Sequence, residues 1–152
     1  MIQPPKLSAA LQLPDPGLGV VQRVTALGFQ IYQWNEEPAG WTLRAPEARL
    51  FDDAGEHLGM HDAGPTWRLL DGSQVKGKLL AQEPAPDRSA IPWLLLLVVE
   101  NADRGTLARA RYIHRVATSG GLAPPVPAVG PPRLREARVA YRATYYFWGP
   151  PA

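Results

Sequence analysis

The sequence contains no cysteine among its 152 residues. A disulfide framework, a thiolate metal ligand and a cysteine nucleophile are therefore excluded. Long hydrophobic runs are missing as well, because the longest apolar segment covers only residues 91–99 and includes Pro92. A membrane-spanning helix needs about 20 apolar residues, so the sequence predicts no transmembrane helix.

Helical patterns are also scarce. No segment combines an apolar period of about 3.6 residues with capping residues, and prolines interrupt the chain too often for long helices. The 17 prolines and 14 glycines instead separate short apolar segments. Several of these segments alternate apolar and polar residues, as strands do. We therefore predict an all-β fold, a sandwich or a flattened antiparallel barrel of about 7–10 short strands with little helix.

The chain divides into an N-terminal arm and one domain. Residues 1–18 contain four prolines and only scattered apolar residues, which predicts an extended, proline-rich arm. Residues 19–149 have the length and hydrophobic content of a single β domain. Within it, residues 91–99 are apolar on both faces and predict a central strand covered on both sides. Residues 120–132 hold five prolines and three glycines, which predicts a long irregular connection.

Three further segments give more detailed expectations. Pro46 is expected to separate two short strands, because proline interrupts the hydrogen bonding of a sheet. Residues 107–118 alternate, with arginines on one face and apolar residues on the other, and this pattern places His114 among the inward positions. Residues 137–148 alternate in the same way, and they predict the last strand.

The net charge of +2 conceals an asymmetry. Residues 1–103 hold 8 basic and 13 acidic residues, whereas residues 104–152 hold 8 arginines and a single acidic residue. Such a basic segment can attract an anionic partner, or its arginines can face solvent and pair with acidic side chains. No nucleic-acid-binding motif accompanies it, so nucleic acid is not an expected partner; self-association is possible. The candidate anion-binding residues are Arg109, Arg111, Arg138 and Arg142.

The candidate functional site is a loop rich in turn-forming and chemically active residues. Residues 61–67 read His-Asp-Ala-Gly-Pro-Thr-Trp, and Asp-Gly-Ser follows at 71–73. Loops held on a rigid β scaffold often carry binding and catalytic residues. Aromatic side chains from other segments can complete an apolar pocket with a few polar groups. The candidate ligand-binding residues are His61, Asp62, Trp67, Asp71, Trp93, Tyr112 and Tyr145.

Three functions are compatible with this site. The first is non-catalytic binding of a small molecule or a saccharide at the 61–67 loop. The second is a hydrolase that uses His61 with Asp62 or Asp71, with Ser73 as a nucleophile. No Gly-x-Ser-x-Gly motif surrounds Ser73, and Asp71-Gly72 is also typical of a hairpin turn. The third is a structural or interaction protein without a pocket.

Neither a metal nor a cofactor is expected. His57 and His61 could supply metal ligands together with Asp62 and Asp71 or His114, but four residues along a strand separate two side chains by about 13 Å. The chain has no Gly-x-Gly-x-x-Gly motif, so no dinucleotide fold is indicated.

Five motifs occur together in this chain: HxxGPTW at 61–67, DGS at 71–73, IPWLLL at 91–96, RxxTxGGxxP at 115–124 and YxAxYxF at 141–147. In this order they resemble an uncharacterised family, known as a domain of unknown function in bacteria and in secreted fungal proteins. The resemblance covers residues 20–148 and implies no established activity. The N-terminus as written has no secretion signal, so the expected location is cytoplasmic, or outside the cell if a leader was removed.

Overall fold

The computed structural model describes residues 4–151. Eight strands form one antiparallel sheet in which each strand pairs with the next, and the last strand pairs with the first, so the sheet closes into a barrel. The predicted all-β fold is confirmed, and its architecture is the barrel. The strands run over Gly19–Glu36 (β1), Ala39–Phe51 (β2), His57–Asp62 (β3), Thr66–Leu69 (β4), Gln74–Glu83 (β5), Trp93–Asn101 (β6), Tyr112–Gly120 (β7) and Glu136–Gly149 (β8).

Helix is confined, within residues 4–151, to two single turns of 3-10 helix. The first covers Ala9–Leu11 in the N-terminal segment, and the second covers Thr106–Arg109 between β6 and β7. In this part of the chain, no helix has the length and hydropathy needed to cross a membrane.

The second 3-10 helix, which we call the plug helix, fills one end of the barrel. Its Leu107 is fully buried and belongs to the same apolar cluster as Val24, Ile113 and Phe147. Antiparallel pairing places the β2–β3, β4–β5 and β6–β7 connections at this end. The other end therefore carries the β1–β2, β3–β4, β5–β6 and β7–β8 connections.

The arm, residues 4–18, packs on the outside of the barrel. Leu11 is fully buried, and Leu7, Leu13 and Leu18 pack against an apolar cluster on the outer face of β6, β7 and β8. That outer cluster includes Trp93, Tyr112, Val116, Tyr146 and Trp148. The arm thus covers an apolar surface that the barrel would otherwise expose to water.

Two of the strands are longer than the short strands that the sequence predicts. β1 and β2 contain 18 and 13 residues, and the prediction that Pro46 separates two strands is wrong. Pro46 lies within β2 and pairs with Gln30 of β1. On its other side β3 reaches only as far as Ala48, so the missing N–H of Pro46 leaves no partner unpaired there.

Two expectations about the C-terminal half are also corrected. β6 begins at Trp93 and pairs with β5 and β7, and a closed barrel has no central strand. The strand expected over 107–118 begins only at Tyr112, because the plug helix occupies its first part. Its faces are reversed as well: Ile113 and Arg115 face the interior, whereas His114 lies on the outer face under the arm.

The predicted 61–67 loop is a tight hairpin. His61 of β3 pairs with Trp67 of β4, so only residues 63–65 form the turn. The two strands approach so closely that a Cβ atom on Gly59 would lie 1.9 Å from the carbonyl oxygen of Arg68. Glycine is therefore required at position 59 for this hairpin to form.

This hairpin is shorter than the strands on either side of it. β3 pairs with β2 only over Ala48–Phe51, and β4 pairs with β5 only over 74–76. Residues 39–47 of β2 and 77–83 of β5 consequently extend past the hairpin with no strand between them. We call the resulting gap in the barrel wall the notch.

Candidate functional site

A cavity of about 320 Å³ lies inside the barrel behind the notch. Leu43 and Ala45 of β2 and Leu79 of β5 line it from the two sides of the notch, and Pro65 lines it from the hairpin turn. Small-molecule sites occupy about 300–1,000 Å³, so the cavity has the size of a site for a small ligand. The deeper lining residues are Gln30, His61, Trp67, Leu94, Leu96, Arg115 and Tyr145.

Four polar side chains in this lining are almost completely buried: Gln30, His61, Arg115 and Tyr145 are each at most 9% exposed. The Oε1 atom of Gln30 is buried and has no hydrogen-bond partner among the described residues. Because buried polar atoms are almost always paired in folded proteins, the amide of Gln30 marks a position where an acceptor is left unused.

His61 is held by hydrogen bonds at both ring nitrogens. Nδ1 lies 2.8 Å from the carbonyl oxygen of Thr66 and donates to it. Nε2 is therefore the unprotonated nitrogen of the neutral ring, and it accepts from the Tyr145 hydroxyl at 3.3 Å. Burial lowers the pKa of His61 to about 3, so the ring is neutral at neutral pH.

Aromatic packing fixes the ring of His61 against the cavity wall. The rings of His61 and Trp67 stack with their centroids 4.3 Å apart, and Tyr145 meets both rings edge-on. The Tyr145 hydroxyl also lies 3.4 Å from that of Tyr141. Burial raises the pKa of both tyrosines, and the charge of Arg115 opposes this rise. Both phenols are therefore neutral at neutral pH.

Arg115 is the buried charge of the cavity. Its Nε and Nη2 atoms donate to the carbonyl oxygen of Pro92 at 3.1 and 2.8 Å. Among the described residues, no carboxylate oxygen lies within 4.0 Å of its guanidinium. Arg44, at the mouth of the cavity, is by contrast mostly exposed and pairs with Glu136 at 3.3 Å.

Three of the seven predicted ligand-binding residues converge on this cavity, namely His61, Trp67 and Tyr145. The other four lie elsewhere. Asp62 pairs with Arg68 at an exposed position. Trp93 and Tyr112 belong to the outer cluster under the arm.

Asp71 lies at the opposite end of the barrel, where it holds the plug helix. Its carboxylate accepts hydrogen bonds from the backbone N–H and the hydroxyl of Thr106 at 2.8 and 2.7 Å. The Ser73 hydroxyl accepts from the N–H of Leu107 at 3.0 Å. Since the His61 ring is hydrogen-bonded to Thr66 and Tyr145 and to neither the Asp62 nor the Asp71 carboxylate, the residues of the hydrolase alternative do not form a catalytic triad.

The four candidate anion-binding arginines are not brought together either. β7 and β8 are neighbours, but the pairing of Tyr112 with Trp148 and of Ser119 with Arg142 places residues 109–111 and 138–142 at opposite ends of the pair.

Two of these arginines already have partners. Arg109 in the plug helix donates to the carbonyl oxygen of Pro150 at 2.6 Å, and Arg138 pairs with Glu47 at 2.9 Å. The four arginines predicted to bind an anion therefore do not form one site. Across residues 4–151, no group of three or more histidine, aspartate or glutamate side chains is arranged to hold a metal ion.

A larger groove of about 630 Å³ lies on the outer face of the barrel and is more open to solvent. Its Arg23 forms a two-pronged ion pair with Asp53 at 2.9 and 2.8 Å. Arg23 therefore has a carboxylate partner, unlike Arg115 in the interior cavity.

Gln30 and Arg115 were not identified as site residues from the sequence. Both lie in segments that alternate, and alternation alone does not tell which face of a strand points into a barrel. The RxxTxGGxxP motif was a usable signal, because it begins at Arg115. Its Thr118 donates a hydrogen bond to the carbonyl oxygen of Ile91 at 2.7 Å.

The fold and the cavity define a closed, eight-stranded antiparallel barrel with an interior cavity that opens through its side wall. The chain belongs to the family described as protein of unknown function (DUF3455), which matches residues 15–149. The resemblance to an uncharacterised family is thereby confirmed. No curated protein and no solved structure matches the chain.

Proposed function

We propose that this protein binds a small molecule, without transforming it, in the cavity behind the notch. The observation that carries the proposal is the buried Oε1 atom of Gln30, which lines the cavity and has no partner among residues 4–151. Leaving a buried acceptor unpaired costs about 1–3 kcal/mol. A ligand that donates to Gln30 removes this cost.

The remaining lining supports a ligand with an apolar body. Trp67 and the neutral ring of His61 form a stacked aromatic wall, and Leu94 and Leu96 line the cavity beside it. A mostly apolar lining with a few converging polar groups is typical of small-molecule sites. Leu43 and Leu79, which are 47% and 48% exposed, present apolar surface at the mouth.

An interior ligand is favoured over a saccharide stacked on the outside of the barrel. Trp34 and Trp148 are at most 9% exposed. The ring of Trp34 meets Trp41 edge-on with centroids 5.3 Å apart, and Trp148 packs under the arm. Neither ring offers an open face of the kind on which a sugar stacks.

The test is a thermal-shift screen with a variant that closes the cavity. Organic acids, amides, saccharides and nucleotides are screened against the wild type, and each hit is titrated by calorimetry. Ala45→Trp places an indole at the cavity lining, whereas Ala39→Trp makes the same change at an exposed position of β2 that does not line the cavity.

The proposal expects at least one compound that binds the wild type and the Ala39→Trp protein equally and the Ala45→Trp protein at least about tenfold more weakly, a difference of about 1.4 kcal/mol. The proposal is wrong if no compound binds, or if every compound that binds is insensitive to Ala45→Trp.

A further inference from the structure

We infer that the ligand of this cavity is a small organic acid whose carboxylate pairs with Arg115. The inference rests on the proposed function and specifies the chemistry of its ligand. The reason is the unpaired charge of Arg115, which is 9% exposed and receives no counter-ion from residues 4–151. A buried charge is unfavourable unless it is paired.

Arg115 differs in this respect from the cations on the surface. The ion pairs found within residues 4–151 involve Arg23, Arg44, Arg68, Lys76, Arg135 and Arg138, whose side chains are 32–64% exposed. In each of them a solvated cation has a carboxylate beside it. Arg115, the cation that most needs a partner, has the carbonyl oxygen of Pro92 instead.

The ionisable groups around Arg115 cannot compensate its charge. The positive charge of Arg115 acts to lower the pKa of four nearby groups, namely Tyr32, His61, Tyr141 and Tyr145. Burial raises the pKa of the three tyrosines and lowers that of His61. All four groups are therefore neutral at neutral pH, and the interior carries the full positive charge of one guanidinium.

The hydrogen bonds of Arg115 leave room for a carboxylate. A guanidinium has five N–H groups, and those of Nε and Nη2 that point to Pro92 account for two of them. The other three remain for a ligand, with the Tyr145 hydroxyl close to the guanidinium. Arginine binds carboxylates through two parallel hydrogen bonds, and Oε1 of Gln30 stays available to a donor group elsewhere on the ligand.

The size and lining of the cavity limit the rest of the ligand. About 320 Å³ bounded by Trp67, Leu94 and Leu96 suits a compact acid with one aromatic ring or a short aliphatic chain. Phenylacetate is a suitable probe. Phenylacetamide is its matched neutral analogue, because it has nearly the same shape and lacks the charge.

The experiment compares both probes by calorimetry on three proteins. The wild type should bind phenylacetate at least about tenfold more tightly than phenylacetamide, as expected for a charge-assisted pair. Arg115→Met keeps an unbranched apolar stem, removes the guanidinium with its charge and should abolish this preference. Arg44→Met is the control, since Arg44 is an exposed cation at the mouth of the cavity, and it should preserve the preference.

The possible failures can be distinguished from one another. If phenylacetamide binds the wild type as well as phenylacetate does, or if Arg115→Met keeps the preference for the acid, the inference is overturned. The inference is also overturned if every ligand sensitive to Ala45→Trp proves to be neutral. In each of these three cases the proposed function stands. If no compound is sensitive to Ala45→Trp, the proposed function fails and the inference fails with it. The comparison of the two probes on the wild type requires no variant to fold.

Discussion

The indole Nε1 of Trp148 donates a hydrogen bond to Nδ1 of His114 at 2.9 Å. This bond places the proton of the neutral His114 ring on Nε2, which donates to the carbonyl oxygen of Leu11 at 2.6 Å. Trp148 of β8 thus sets the tautomer of His114 of β7, and His114 anchors the arm.

The first prediction is that His114→Phe loosens the arm. The substitution leaves the Trp148 indole and the Leu11 carbonyl without their partner, which costs about 1–3 kcal/mol. Limited proteolysis should then cut within residues 4–18 about tenfold faster than in the wild type, because cleavage follows the population of the opened segment. His57→Phe is the control, since His57 is exposed and has no such bonds. Equal cleavage of the His114→Phe protein and the wild type would contradict the prediction.

The second prediction concerns acid. The unfolded chain protonates His61 below its ordinary pKa of 6.5, whereas the folded protein does so only near pH 3. The unfolded state therefore binds more protons between these values, and the free energy of unfolding must fall as the pH drops below 6.5. One such proton is worth about 1.4 kcal/mol per pH unit, or about 2 kcal/mol between pH 6.5 and 5.

Urea unfolding at several pH values measures this slope. His61→Asn keeps a donor for the Thr66 carbonyl and removes the titrating group, so the variant should lose less stability on acidification than the wild type. Burial also lowers the pKa of His114, so part of the acid sensitivity should remain in the variant. A slope in the variant identical to that of the wild type would show that His61 does not contribute.

The third prediction assigns Asp71 to the plug helix. Hydrogen bonds from Ser73 and Thr106 hold the pKa of Asp71 below its usual range, so its contribution to stability is present above the unfolded pKa and is lost as the pH falls through the folded pKa. Asp71→Asn should lower the free energy of unfolding by about 1 kcal/mol at pH 7, a modest value because this carboxylate is partly screened by solvent.

Asp87 offers a matched control for this substitution. Its carboxylate accepts from the backbone N–H and the hydroxyl of Ser89 within a single loop, so Asp87→Asn should leave the melting temperature nearly unchanged. Ligand binding in the cavity should be unaffected by either change, because neither residue lines it. Loss of ligand binding in the Asp71→Asn protein would contradict the assignment.

The sequence predicts best the elements whose structure is determined by residues close together in the chain. The alternation of residues 137–148 arises from a strand with one face inside the barrel and is confirmed by β8. The Asp71-Gly72 pair predicts a turn, and Gly72 has a φ of 91°, a backbone conformation that glycine tolerates. His61, Trp67 and Tyr145 were grouped by chemistry, and the structure brings their rings together.

Arg115 could not be predicted as a cavity residue, because its orientation depends on a segment that is distant in the sequence. In β7 the apolar face was expected to point inward, but the arm covers the outer face of this strand, so both faces are buried. His114 and Val116 then face the arm, and Arg115 takes an interior position. No feature of residues 107–118 indicates that a segment about 100 residues earlier in the chain covers one of their faces.

The length of the β3–β4 hairpin has a consequence for ligand size. The barrel is closed by the pairing of β1 with β8 and filled at one end by the plug helix, and neither feature depends on how far this hairpin extends. Two added residues in each of its strands would lengthen it by about 6.6 Å and narrow the entrance. For the ligand that we propose, the width of the entrance is therefore set by one hairpin, whereas closure of the barrel is not.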